Sequence, residues 1–235
     1  MKNKHKFLHI LFSVLLSSIL MTIIDGYFSP SYFYKSIFKI ILFLVVPLIY
    51  FIRFKDERNK LYNYFKFKTK TLKQALILAL LVFTIILIGY FIFASYIDLN
   101  QIKESLTKGI NVNKDNFIYV AIYISLFNSL LEEYFFRIYA FMFLRNNGSR
   151  LFAYIFSSLM FAIYHIGMMN TWFNPLIFLL ALIGLMIGAM IFNYLNEKSQ
   201  SIYPSWLVHM FANFAINSIG LFLFSIIKQN MQRCN

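Results

Sequence analysis

Seven long apolar runs divide this sequence, and their length constrains the fold more than any other feature does. A helix needs about 20 predominantly apolar residues to cross a hydrocarbon core of about 30 Å. Charged residues make up only 13% of the chain, about half the share that is usual in a soluble domain. We therefore predict an all-α, polytopic helical membrane protein with about seven transmembrane helices (six to eight) and a polar cavity within the membrane. The runs cover residues 7–24, 36–52, 75–97, 117–144, 151–168, 175–195 and 204–227.

The positive charge of the loops between these runs indicates an orientation. The net charge is +13, but lysines beside membrane spans set topology and contact anionic lipid rather than nucleic acid. With Lys35 and Lys39 counted on the outer side, the inner side still has about twice as many Lys and Arg when the N-terminus is cytoplasmic. We predict an integral membrane protein whose partner is the lipid bilayer and not nucleic acid. Its richness in Ile, Phe, Lys, Asn and Tyr suggests an AT-rich genome and hence a bacterial plasma membrane.

The segment 53–73 is strongly basic and contains interleaved aromatic residues. It is either a surface element for anionic lipid or an ordinary cytoplasmic loop, and the second interpretation is favoured. No repeat or linker divides the chain, so we predict one integrated membrane domain. In it, residues 1–115 form N-terminal helices with the basic loop, and residues 116–227 form the helices that carry the chemistry. Cys234 is the single cysteine, which excludes a disulfide framework and a Cys-based zinc site.

Glu132 and Glu133 are the only two of nine acidic residues that lie within an apolar run. Each ionisable side chain at the centre of a membrane helix costs about 2.5–3.5 kcal/mol on the insertion scale, which indicates a functional use. Positions four apart share a helix face, so Glu133 can pair with Arg137 while Glu132 points about 100° away. A structural ion pair explains the presence of Glu133 and Arg137 but does not explain that of Glu132. Glu132 is therefore our candidate general base for a water molecule.

Polar side chains also interrupt two later runs. His165 lies in the fifth run, and His209 in the last run is followed at four-residue intervals by Asn213 and Asn217, which places these three on one helix face. A single buried histidine is most often a hydrogen-bonded core residue. Together with the acidic pair, however, the two histidines predict that three helices converge on one polar cavity that water can enter.

The depths of these residues in the membrane impose a condition on the fold. If the last helix begins at the inner surface near Pro204, His209 lies only about 8 Å deep, whereas Glu132 lies about 18 Å deep in the fourth run. Either the 196–204 loop dips into the membrane or the fourth helix extends beyond it.

Three signatures in this order carry a family resemblance: Glu132-Glu133-x-x-x-Arg137, Phe161-x-x-x-His165 and His209-x-x-x-Asn213. Their order on three hydrophobic segments resembles the CPBP family, which comprises CAAX prenyl endopeptidases and Abi-like membrane proteins for bacteriocin processing or immunity. The resemblance covers about the C-terminal half of the chain. It implies an intramembrane protease that cleaves a membrane-associated protein or peptide.

The resemblance also implies a role for each motif residue. Glu132 would activate water, His165 and His209 would position that water or coordinate a metal, and Asn213 would donate to the oxyanion. The supporting residues Glu133 and Arg137 would brace the site. Members of the family have been described both as metalloproteases and as glutamate-dependent enzymes.

A divalent metal such as Zn²⁺ is therefore an open expectation. Glu132, His165 and His209 are the candidate ligands, and they would leave a fourth position free for water. No H-E-x-x-H spacing occurs, and the three residues come from separate helices. We slightly favour activation of water without a metal.

Two other classes of function compete with the protease. A non-catalytic membrane protein for bacteriocin self-immunity or scaffolding would keep the fold and act by binding. A proton-coupled transporter would also use buried carboxylates and histidines, but it predicts paired broken helices in two related halves, which the sequence does not show.

Overall fold

A computed structural model describes residues 4–233, with only the backbone described for residue 70 and for residues 225–233. All elements in this part of the chain are helical. We number the helices α1 to α9 and treat segments that continue one another as one helix. They are α1 (Lys4–Phe28), α2 (Tyr32–Arg53), α3 (Lys55–Tyr64), α4 (residues 69–96), α5 (residues 99–109), α6 (residues 117–147), α7 (Arg150–Met169), α8 (Pro175–Ser199) and α9 (Tyr203–Arg233).

Six of these helices are long and apolar enough to cross a membrane. They are α1, α2, α4, α7, α8 and α9, and they correspond to six of the seven predicted runs. The prediction of an all-α, polytopic membrane protein is confirmed. Helix α8 begins at the residue that the sequence predicts. Pro175 occupies its first turn, and the Asn174 side chain caps it by accepting a hydrogen bond from the Ile177 backbone N–H at 3.0 Å.

The fourth predicted run forms α6, which lies at the centre of the bundle. Every residue from 134 to 144 is buried, and most of them have large aromatic or aliphatic side chains. Within α6, residues 124–128 and 134–143 are π-helical, and the intervening Ser129–Glu133 is α-helical. A π-helix has i→i+5 hydrogen bonds and therefore wider turns. Wider turns shorten a run that is too long for one upright α-helix.

Contacts between neighbouring segments define the two ends of the bundle. At the basic end, Gly148 lies against Phe7, and the Ile202 backbone N–H donates to the Tyr64 carbonyl at 2.9 Å. At the opposite end, the Gln101 side chain donates to the Thr171 carbonyl at 2.6 Å. At the basic end lie helix α3, the start of α1, the α6–α7 loop and the α8–α9 loop. This arrangement of the chain agrees with alternate crossings of the membrane.

The loop between α8 and α9 is buried at the basic end. Ser201 and Ile202 are fully enclosed, and the Lys68 ammonium donates to the Ser199 carbonyl at 2.8 Å. The loop is thus covered by the chain segment that joins α3 to α4. That position lets the start of α9 reach the middle of α6.

Two expectations are changed by the structure. The segment 53–73 is not a simple loop, because residues 55–64 form α3 and Glu57 is buried beside Lys6. Lys35 and Lys39, counted above as outer-side residues, are both buried inside the bundle, since each pairs with an acidic side chain there. Cys234 lies outside the described residues.

Candidate active site

The acidic pair lies at the centre of α6, in the short α-helical segment between its two π-helical segments. Glu132 is 2% exposed and Glu133 is fully buried. π-Helical turns often occur at functional sites because they change the direction of successive side chains. The flanking π turns thus set the directions in which the two carboxylates leave the helix.

Glu133 has two hydrogen-bond partners, Arg137 and His209. Arg137 Nε lies 3.4 Å from Glu133 Oε1, as the i,i+4 spacing predicts, and His209 Nδ1 lies 2.9 Å from the same oxygen. The Arg137 guanidinium also stacks over Phe161 at 4.4 Å from the ring centroid. Glu133 therefore links α6 to α9, and its acceptor oxygen makes Nδ1 the protonated nitrogen of His209.

Glu132 Oε1 receives hydrogen bonds from three side chains. The donors are Asn128 Nδ2 at 2.7 Å, the Tyr164 hydroxyl at 2.6 Å and Lys39 Nζ at 3.2 Å. A carboxylate buried in protein is stable only when it is paired and hydrogen-bonded in this way. Glu132 thus has an ion-pair partner, which the sequence analysis did not identify.

Lys39 is the main residue missed from the sequence. Its signal was present, because a lysine within the apolar run 36–52 carries the same insertion cost as the two glutamates. Tyr164 was also missed, although it directly precedes His165. Neither residue could be connected to Glu132 by spacing, since the three lie on separate helices.

His209 approaches the other oxygen of Glu132. Its Nε2 lies 3.7 Å from Glu132 Oε2, and the ring is 6% exposed. The ring is also stacked on Phe192, with centroids 5.4 Å apart. His209 therefore faces both glutamates, with one nitrogen directed at each.

His165 is buried near the same carboxylate. Its Nδ1 lies 2.7 Å from the Phe161 carbonyl, which must accept the hydrogen bond. This leaves Nε2 as the free nitrogen. The ring packs on Tyr164 with centroids 4.3 Å apart, and the Tyr164 hydroxyl in turn donates to Glu132. The structure thus brings His165, His209 and the acidic pair into one buried cluster, although no direct hydrogen bond joins His165 to Glu132.

Asn213 lies beside the cluster and contacts the α6 backbone. Its amide nitrogen donates to the Ile124 carbonyl at 3.3 Å. Asn217 makes the corresponding contact one turn later, to the Ala121 carbonyl at 3.3 Å. Both amides thus bind carbonyls at or next to the first π-helical segment of α6. The role of Asn213 as an oxyanion donor stays a prediction.

The candidate metal ligands are Glu132, His165 and His209. Within the described residues, no group of three or more His, Cys, Asp or Glu side chains is arranged to hold a metal ion. The Lys39 ammonium also already compensates the charge of Glu132, so a divalent cation would lie beside another cation. The residues as arranged do not fit a metal, and no step below is assigned to one.

The arrangement supplies the groups that hydrolysis requires. Glu132 Oε2 can accept a proton from water, and the Nε2 atoms of His165 and His209 can each accept a hydrogen bond from water because their Nδ1 atoms are engaged elsewhere. The surrounding aromatic side chains provide a low dielectric, in which charged groups interact more strongly than in water.

Comparison with known proteins identifies the segment that carries this cluster. Residues 114–215 match the family model described as Rce1-like, type II CAAX prenyl endopeptidase. Neither a curated protein nor a solved structure matches the chain. The matched segment contains all three signatures, and the resemblance to the CPBP family is confirmed for this part of the chain. Residues 114–215 are thus similar to type II CAAX prenyl endopeptidases.

Proposed function

We propose that this membrane protein of the CAAX-type protease family hydrolyses a peptide bond in a membrane-associated protein or peptide, with Glu132 as the base that activates water. The observation that carries the proposal is the geometry of one carboxylate. Glu132 Oε1 is fixed by three donors, while Oε2 is directed at His209 Nε2 at 3.7 Å. One oxygen is thus anchored and the other faces the groups that would hold the water.

In this proposal, a water molecule held by Glu132 and the two histidines attacks the carbonyl carbon of the scissile bond. Its proton passes to Glu132 Oε2, and the carbonyl oxygen becomes an oxyanion that Asn213 would stabilise. The carbon–nitrogen bond then breaks, and Glu132 returns the proton to the leaving amine. The products are a carboxylic acid and an amine, and Glu132 is regenerated.

The test compares membrane proteomes of cells that express the wild type, Glu132→Gln or Glu104→Gln. Glu132→Gln keeps the size of the side chain but removes the base, and we expect fragments with new termini to disappear. Glu104 is an exposed acid paired with Lys108, so Glu104→Gln is the matched control and should leave cleavage unchanged. Identical fragments from all three strains would contradict the proposal. Metal analysis of the purified protein in parallel determines whether a divalent metal such as Zn²⁺ is bound.

A non-catalytic function in bacteriocin immunity is the second candidate. It is favoured by one observation: Glu132, Glu133 and Asp25, three acids inside the bundle, each have a cationic partner, as structural ion pairs do. The two functions differ in a protection assay with Glu132→Gln expressed at the wild-type level. Full protection by this variant would support binding, and loss of protection would support hydrolysis.

A further inference from the structure

Helix α2 carries two lysines, one helical turn apart, into the interior of the bundle. Lys35 is 4% exposed and Lys39 is 6% exposed. Lys35 Nζ lies 3.1 Å from Asp25 Oδ1, so this pair is neutral by itself. Lys39 is therefore not needed as a partner for Asp25, and its charge is directed at the active-site cluster instead.

All three N–H donors of the Lys39 ammonium have an acceptor within the cluster. Nζ lies 2.6 Å from the Tyr164 hydroxyl, 2.8 Å from Asn128 Oδ1 and 3.2 Å from Glu132 Oε1. The same hydroxyl and the same amide each donate to Glu132 Oε1. Three hydrogen-bonded paths thus connect Lys39 to Glu132: one is direct, one passes through Tyr164 and one passes through Asn128.

This network makes the two oxygens of Glu132 unequal. Oε1 accepts all three hydrogen bonds, so the carboxylate cannot rotate without breaking them together. Oε2 is left for His209 and for a reacting water. A base that is fixed in this way needs no reorganisation when the water arrives.

The network also determines the charge of Glu132. Burial in a low-dielectric interior favours the neutral form of a carboxyl group, and a neutral Glu132 could not accept a proton from water. A cation at hydrogen-bonding distance favours the ionised form. Because Glu133 is already compensated by Arg137, Lys39 is the cation that contacts Glu132 directly.

We propose that Lys39 is a positioning residue of the active site, which holds Glu132 ionised and directs its Oε2 towards His209. This inference rests on the proposed function, because it assigns Lys39 a part in the same reaction. Lys39 lies far outside the matched segment 114–215. The N-terminal helices therefore complete the active site and do more than enclose it.

The protonation of Glu132 depends on every charged or titratable group around it. These groups are Lys39, Lys35 and Tyr32 from α2, Glu133 and Arg137 from α6, Tyr164 and His165 from α7, and His209 from α9. A test of Lys39 must therefore change one group and leave the other charges balanced.

The experiment uses the full-length protein in lipid nanodiscs and two readouts. Infrared difference spectroscopy follows the carboxyl bands of Glu132, which are identified by their loss in Glu132→Gln. We expect an ionised Glu132 at pH 7 in the wild type and a protonated one in Lys39→Met. The second readout is turnover of the substrate found by proteomics, where we expect Lys39→Met to lower kcat by about 10²–10⁴-fold with little change in KM.

The control is the double variant Asp25→Asn/Lys35→Met, which removes the neighbouring ion pair without changing the net charge. It should leave the Glu132 bands and kcat at wild-type values. If Lys39→Met does not fold, Lys39→Arg replaces it. Arg keeps the charge but has a planar fork, so Glu132 should stay ionised while kcat falls at least about tenfold.

The two proposals fail in different ways. A Lys39→Met protein with Glu132 still ionised at pH 7, or a Lys39→Arg protein with unchanged kcat, would overturn the positioning role even if the wild type cleaves its substrate. Conversely, a protonated Glu132 in Lys39→Met combined with no cleavage by the wild type would support the control of Glu132 by Lys39 and remove the protease assignment.

Discussion

Asn213 and Asn217 show at the scale of single residues how one helix face serves both packing and chemistry. Each amide donates to a backbone carbonyl of α6 at 3.3 Å, and Asn217 also donates to the Ser125 hydroxyl at 3.1 Å. Only Asn213 is part of the motif that follows His209, one turn nearer to the reacting groups. The two residues therefore form a natural pair for separating a catalytic role from a structural one.

We expect Asn213→Ala to lower kcat by about 10²–10³-fold, because that is the usual cost of removing one oxyanion donor. Asn217→Ala should retain nearly the wild-type kcat, and both variants should lose similar thermal stability. The measurement is turnover of the identified substrate together with thermal unfolding in detergent. An equal loss of kcat in both variants would show that Asn213 acts through packing.

At the scale of elements, a close contact fixes α1 against α7 beside His165. The Thr22 hydroxyl donates to the Ile163 carbonyl at 3.1 Å, and a Cβ on Gly167 would collide with the Thr22 carbonyl oxygen. Small residues allow such approaches between membrane helices. The end of α7 that carries His165 is therefore positioned by a helix outside the matched segment.

Gly167→Ala should separate α1 from α7 and displace His165, with a loss of thermal stability and of activity. The control is Gly89→Ala in α4, where a Cβ would meet no atom within 4 Å. It should be neutral or slightly stabilising, because Ala is favoured over Gly in a helix by roughly 0.5–1 kcal/mol. Thermal unfolding and turnover of both variants check the prediction. Wild-type behaviour of Gly167→Ala would mean that the helices are not in close contact.

A second contact between elements, an ion-pair cluster, joins α1 to α3 at the basic end. Lys6 donates to Asp56 and to the buried Glu57, and the hydrogen bond from Lys6 holds the pKa of Asp56 below its ordinary value. A carboxyl group with a lowered folded-state pKa adds stability above its unfolded pKa of about 4, and this is lost as the pH falls through the folded pKa.

Asp56→Asn should therefore lower the unfolding midpoint slightly at pH 7, and its difference from the wild type should vanish at acid pH. The measurement is thermal unfolding over a series of buffers from neutral to acid. Asp115→Asn, at an exposed acid of the opposite end, is the control and should match the wild type throughout. A difference for Asp56→Asn that is constant over this range would indicate packing instead of charge.

At the scale of the whole molecule, the two ends of the bundle should lie on opposite sides of the membrane. The basic end contains α3, and the other end contains α5 and the residues that follow it. The positive-inside rule predicts that the basic end is cytoplasmic. The orientation can be measured because the single cysteine, Cys234, is easily replaced.

In a Cys234→Ser background, we introduce one cysteine at the exposed Asn63 or at the exposed Thr107. A membrane-impermeant maleimide added to intact cells should label Thr107→Cys but not Asn63→Cys. Labelling of both after the cells are opened is the control for reactivity. The reverse pattern in intact cells would place the N-terminus outside.

The sequence by itself determined the class of fold and several members of the polar cluster. Apolar runs of membrane-spanning length leave the backbone no alternative to helices, since lipid offers no hydrogen-bond partners. Glu132, His165 and His209 were identified because a polar residue in such a run is expensive, and the i,i+4 spacing linked Glu133 to Arg137 within one helix.

Only the tertiary structure decided which groups from different helices meet. The contact of Lys39 with Glu132 and the position of His209 between the two glutamates join residues that are far apart in the chain. The π-helical turns of α6 and the packing of α9 against them bring these residues together. Local periodicity specifies the face of a helix on which a side chain lies, but packing between helices determines what that face contacts.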